Sequence, residues 1–182
     1  MKKFFFLSFI IFTIPSVGQN VKLASSQLVF NLLPATLSYQ AKLNETISSK
    51  ISTGIGYTAG VSSSDGFSAL AIPITYASVR KYYARNRVKK DDLRKNSGNY
   101  FGFFGSYQWE PFGQPSGLSE TILYLEISNV YTAGLVWGIE RNYSSGFHLG
   151  LSIGPGFIGG EFIKEGFTMV GEFELGYVLF SK

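Results

Sequence analysis

Apolar residues recur at every second position over most of the chain. Between Ile47 and Val61 the odd positions hold Ile47, Ile51, Ile55, Tyr57, Ala59 and Val61, while the even positions hold only Ser, Lys, Gly and Thr. From Phe147 to Gly159 the odd face carries Phe147, Leu149, Leu151, Ile153, Pro155 and Phe157, and the even face begins with His148, Gly150, Ser152, Gly154 and Gly156. From Thr168 to Phe180, Met169, Phe173, Leu175, Tyr177 and Leu179 stand opposite Glu172, Glu174 and Gly176. A period of two marks a β-strand, because successive side chains leave opposite faces.

Four more segments alternate in the same way. Leu37, Tyr39, Ala41 and Leu43 interleave with Ser38, Gln40 and Lys42; Leu70, Ile72, Ile74 and Tyr76 with Ala71, Pro73 and Thr75. Phe101, Phe103, Tyr107 and Trp109 interleave with Gly102, Ser106 and Gln108; Ala133, Leu135, Trp137 and Ile139 with Gly134, Val136, Gly138 and Glu140. Earlier, Leu28, Phe30 and Leu32 put the apolar face on even numbers, and past Pro34 it moves to odd numbers. A strand keeps its faces fixed, so a parity flip at a proline marks a turn or a bulge. Taken as a tight hairpin, it brings the count to eight strands.

The second face decides what kind of sheet this is. A soluble barrel or sandwich shows frequent charge on its water face. Here that face is mostly Gly, Ser and Thr, with scattered Lys42, Lys50, Arg80, Glu140, Glu172 and Glu174. Small residues suit a cramped interior and bulky ones a lipid-facing exterior, the inverted pattern of a transmembrane β-barrel. Backbone groups in lipid must be satisfied internally, so such strands close into a ring. Tyr57, Tyr82, Tyr83, Tyr100, Trp109, Trp137, Tyr143 and Tyr177 fall within or near strand ends. Interfacial girdles use such residues, although strands of any kind are rich in aromatics.

The N-terminus is a separate element. Met1-Lys2-Lys3 is positive, Phe4 to Ile14 is apolar and uncharged, Pro15 breaks the run, and Ser16-Val17-Gly18 sets small residues before a cut after Gly18. This is the form of a secretory signal peptide; the 11-residue run is short of the roughly 20 a spanning helix needs. The expected organisation is residues 1–18 as signal and 19–182 as one barrel domain. The mature chain has 182 − 18 = 164 residues and net charge +4 − 2 = +2. Eight strands of about 10 residues use about 80 of them. The small positive excess does not call for nucleic acid.

Composition narrows the chemistry. The chain has no Cys and one His, which excludes disulfide staples, thiolate metal sites, a Cys nucleophile and any site with two histidines. Charged residues are 15% of the chain against about 25% in an average globular domain. Leu43 to Thr46, Ser62 to Gly66, Tyr143 to Gly146 and Pro111 to Ser119 have the residues of turns and loops. Arg85 to Gly98 is the one charged stretch, with Arg85, Arg87, Lys89, Lys90, Arg94 and Lys95 outnumbering Asp91 and Asp92. It suits a solvated connection, or contact with lipopolysaccharide phosphates or another anionic partner. A strand count from a periplasmic N-terminus puts it on the periplasmic side.

The leader and the segments VKLASSQLVFNLLPATLSYQAKL, NETISSKISTGIGY, GLVWGIERNYSSGFHLGLSIGPGF and GEFELGYVLF resemble small outer-membrane β-barrel proteins of Gram-negative bacteria, of the porin-like or OmpA-like kind. The resemblance covers the whole mature chain. It implies an eight-stranded antiparallel up-and-down barrel, inserted by the outer-membrane assembly machinery and surrounded by outer-membrane lipid. Last strands of such proteins commonly end in an aromatic residue; here Phe180 is followed by Ser181 and Lys182. The family brings no catalytic residue to carry over.

The residues nominate no catalytic, cofactor-binding or metal-binding site. Gly154-Pro155-Gly156 and Gly159-Gly160 lack the strand-to-helix setting of a phosphate loop. His148 falls on the polar face, where Ser152 and Glu172 could share its side as in a lipid hydrolase; a hydrogen-bonded interior histidine is the plainer reading. Glu172 and Glu174 with Arg80, Lys42 and Lys50 are expected to form an interior ionic network, since buried charge is costly unless paired. An eight-stranded barrel is just wide enough for side chains, so no wide aqueous channel is expected. The resulting expectation is a monomeric, non-enzymatic outer-membrane protein with a structural or surface-contact role. The alternatives are a membrane-embedded lipid-modifying enzyme and a soluble, lipocalin-like carrier whose bulky residues would point inward.

Overall fold

The alternating segments form the strands of one sheet, which closes on itself. A computed structural model describes residues 21–62, 66–83, 95–110, 129–161 and 163–182, with the backbone alone for 57–62 and 66–70. The expected signal segment 1–18, the loop 111–119, the tip of 62–66 and most of the basic stretch lie outside the described residues. The strands are β1 Ser26–Leu33, β2 Ala35–Lys42, β3 Ile47–Ser62, β4 Gly66–Tyr83, β5 Gly98–Gln108, β6 Val130–Asn142, β7 Phe147–Gly160 and β8 Gly166–Ser181. Each pairs antiparallel with its neighbour in sequence, and β1 pairs with β8 to close the ring. The parity flip at Pro34 is the β1–β2 hairpin, in register through Asn31 opposite Thr36. Several strands run well beyond ten residues: 16 in β3, 18 in β4 and 16 in β8.

Tight turns gather at one end, the lower rim. Asn44 Oδ1 accepts from the backbone N–H of Thr46 at 2.9 Å and of Ile47 at 2.8 Å, which folds β2 back into β3. Between β6 and β7, Gly146 takes φ +92°, a conformation open to glycine at little cost, and its N–H donates to Tyr143 O at 2.9 Å. Residues 21–24 fold across this rim. Leu23 packs with Tyr82 and Tyr100, and Ala24 N–H donates to Asn96 Oδ1 at 2.8 Å while Asn96 N–H donates to Lys22 O at 2.8 Å. The upper rim is the opposite end, where β3 meets β4, β5 meets β6 and β7 meets β8.

The two walls differ in chemistry. Leu37, Ile51, Phe103, Ile153, Phe173 and Leu179 are exposed on the outer wall, whereas Gln27, Asn31, Arg80, Glu140, His148 and Glu174 are at most 1% exposed on the inner one. Two expectations are corrected. In β4 the bulky even face turns inward: Ile72 is buried and Tyr76 packs on Phe104 at 5.8 Å between ring centroids. The reason is parity, because Ile72 and Tyr76 share a face with Ser78 and Arg80, whose polar groups find partners only inside. Tyr82 and Tyr100 are likewise inside, 5.4 Å apart, and form no part of an outer girdle.

Candidate functional site

The polar inner faces of β1, β2, β3, β4, β6, β7 and β8 converge on one ionic cluster in the lower half of the lumen. Register sets the partners: Lys50 stands opposite Gln40 and Ser78, Glu140 opposite Gly150, and Glu172 opposite Ser152. Lys50 Nζ forms an ion pair with Glu174 and lies 3.4 Å from Glu172 Oε1. Arg80 pairs with Glu140 at 3.0 Å through Nη1 and with Glu172 through Nη2. Its guanidinium also lies 4.6 Å over the Tyr100 ring, an added cation–π contact. Gly138 makes room for that ring, since a Cβ there would collide with its phenol end.

Neutral groups satisfy the remaining lone pairs. Glu174 Oε1 accepts from Asn31 Nδ2 at 2.9 Å and from Ser38 Oγ at 3.1 Å. The Tyr82 hydroxyl donates to Glu140 and accepts from Gln40 Nε2 at 2.8 Å. Burying ions without such partners would be unfavourable by several kcal/mol.

His148 closes the cluster on the β7 side. Asn142 Nδ2 donates to Lys95 O at 3.0 Å and Asn96 O at 3.2 Å, so Asn142 Oδ1 faces the ring and accepts from His148 Nδ1 at 2.7 Å. His148 Nε2 faces Glu174 Oε2 at 3.5 Å. Both ring nitrogens thus face side-chain oxygens of the cluster.

The expected network is present with one departure and several additions. Lys50, Arg80, Glu172 and Glu174 are joined in it. Lys42 is not: at the end of β2 it pairs with exposed Glu45 at 2.6 Å. Glu140, Asn31, Tyr82 and Asn142 take part without having been assigned to it. Parity was the available signal for Tyr82, which shares its face with Ser78 and Arg80, for Glu140, which shares its face with Gly134 and Gly138, and for Asn31, which shares its face with polar Gln27. Asn142 shares the even parity of Glu140 and faces His148 across the β6–β7 turn, but its backbone partners at residues 95 and 96 lie far away in sequence.

A nucleophile–base pair is not assembled. Ser152 and His148 lie four residues apart on one strand, about 13 Å, and Ser152 Oγ accepts from Glu172 N at 3.2 Å. Among the described residues, no group of three or more His or carboxylates is arranged to hold a metal ion. Gly154-Pro155-Gly156 and Gly159-Gly160 lie within β7. Comparison with family models, with curated proteins and with solved structures finds no match to the chain.

Proposed function

We propose that the chain is an integral outer-membrane β-barrel protein, exported through the signal segment 1–18, non-enzymatic, with a side-chain-filled interior and a structural or surface-contact role in the envelope. In this reading it is monomeric, is inserted by the outer-membrane assembly machinery and is partnered by lipid rather than nucleic acid.

The observation that carries the reading is the inverted wall. Ile153 is 53% exposed, Phe157 65% and Phe167 71%, while Arg80, Glu140 and Glu174 are 1% exposed in the lumen. Soluble monomers seldom expose apolar patches beyond a few hundred Å²; here the apolar surface runs round the barrel. A soluble carrier would need these same residues inside. Aromatic groups border the band. Near the lower rim Tyr83 stacks on Phe101 and accepts from Trp137 Nε1, and Phe147 meets Tyr177 edge-on. Near the upper rim stand Tyr107 with Trp109 and Phe157 with Phe167. At ~3.3 Å per residue and a tilt near 40°, the stretch of β7 from Phe147 to Phe157 rises about 25 Å, the height of an outer-membrane apolar band.

Cell fractionation followed by gel migration tests it. The expected protein stays with outer membranes until detergent is added and changes mobility on boiling; recovery in the periplasmic soluble fraction would refute the reading. A wall variant separates lipid from water more sharply. Ile153→Arg sets a cation at mid-height on the outside, which destabilises a bilayer-embedded barrel by ~2–4 kcal/mol and leaves a water-exposed one nearly unchanged. Catalysis is tested through His148→Ala: lipid A profiles of cells expressing it should match those of the parent, and a difference would restore the enzyme alternative.

A further inference from the structure

We infer that the lower rim is a contact surface for anionic phospholipid headgroups, so that the two ends of the barrel suit leaflets of unlike charge. This rests on the membrane reading above and adds the lipid class at one rim.

Charge is segregated by height. Among the described residues, the lower rim carries six basic residues, Lys22, Lys42, Lys81, Lys95, Arg141 and Lys182, against the single acidic Glu45. The upper rim carries Glu110, Glu161 and Glu165 against Lys164. The three carboxylates and two permanent cations in the lumen are already committed to one another.

Placement at the wall makes this a lipid-facing feature. Lys81 and Arg141 occupy odd positions of β4 and β6, the parity of the outer wall, one outward position inside Tyr83 and Tyr143. Arg141 donates to Gly98 O at 2.8 Å and to Asn99 Oδ1 at 2.7 Å, which fixes its charge at the height of the aromatic belt. Lys22 and Lys95 are exposed just beyond it. A cation held at headgroup depth beside an aromatic ring complements a lipid phosphate, and each such cation multiplies association with an anionic surface by about fivefold at low ionic strength. The acidic upper rim would repel the same headgroups.

The test uses the full mature chain refolded into vesicles of phosphatidylcholine alone and of equimolar phosphatidylcholine and phosphatidylglycerol. Electron paramagnetic resonance then compares spin-labelled phosphatidylglycerol and phosphatidylcholine immobilised at the wall. Several-fold selectivity for phosphatidylglycerol is expected in low salt, shrinking as added salt brings the screening length to about 10 Å near 0.1 M. Lys22→Gln with Lys95→Gln keeps the backbone bonds of both residues and should lower the selectivity at least about threefold, while Glu161→Gln should not lower it. Equal immobilisation of the two lipids in low salt, or selectivity unmoved in the double variant, overturns the inference and leaves the membrane reading standing. Failure to float with either kind of vesicle overturns the membrane reading itself, and this inference with it.

Discussion

The lower half of the lumen is filled by Lys50, Arg80, Glu140, His148, Glu172 and Glu174, and the upper half by Ile72, Tyr76, Phe104, Val130, Val136 and Val170. Both fillings occupy the same cramped ring of strands, yet they specify structure differently. An ion pair has direction and needs a particular partner at a particular register. An apolar contact needs volume and shape, and accepts another residue of about the same size. The lower half therefore locks which strand lies against which, and the upper half seals the space between them. Small residues decide where each can exist: Gly138 leaves room for Tyr100 under Arg80, and Gly156 leaves room for Val170.

Removing a charge should break this contrast most strongly. Arg80→Met leaves Glu140 and Glu172 buried with their shared cation gone, and is expected to destabilise the barrel by about 4 kcal/mol. Equilibrium unfolding in urea, followed by the fluorescence of Trp109 and Trp137, measures it. Arg80→Lys should recover only part of the loss, because an ammonium cannot span two carboxylates as the guanidinium fork does. Full recovery by lysine would show that the cluster acts through net charge and not through direction.

The upper half should respond in the opposite way to conservative change. Phe104→Ala empties the centre of the apolar packing and is expected to lose about 3 kcal/mol. Phe104→Leu should retain most of that, with a loss below about 1.5 kcal/mol. A leucine variant as damaging as alanine would mean that ring contact with Tyr76, rather than volume, holds this half. The same urea titration reads both.

How much of this was visible in the chain depends on which residue carries the parity. In β3, β7 and β8 Lys50, His148, Glu172 and Glu174 all fall on even numbers and most of the bulky residues on odd, so the strand and its faces are legible together. In β4 the bulky Ile72 and Tyr76 share even numbers with Arg80, and size suggests one face where charge requires the other. Charge prevails, since Arg80 has its partners in the lumen and an unpaired guanidinium on an apolar wall does not. Away from the rims, where Lys81 and Arg141 take the outer parity, a charged residue thus fixes the parity of its strand more firmly than several apolar ones. Lys42 marks the limit of that rule: at a strand end it reaches solvent and Glu45, so parity alone did not bring it into the cluster. The choice of partners among inward residues is set by register between strands, as with Glu174 receiving Lys50 from 124 positions away, and no local pattern records it.

Ser152 should give the smallest effect and the finest test of how directional the lower half is. Its hydroxyl sits between strands, accepting from Glu172 N–H at 3.2 Å while the Glu172 carboxylate is held by Lys50 and Arg80. Ser152→Ala removes one acceptor and leaves every charge in place, so the expected loss is about 1 kcal/mol. If the cluster behaves as one directional unit, Ser152→Ala and Arg80→Met will be non-additive, because freeing Glu172 already relaxes the backbone group that Ser152 holds. Strict additivity in the double variant would show that the serine supports the β7–β8 ladder alone, and that the ionic cluster ends at its carboxylates.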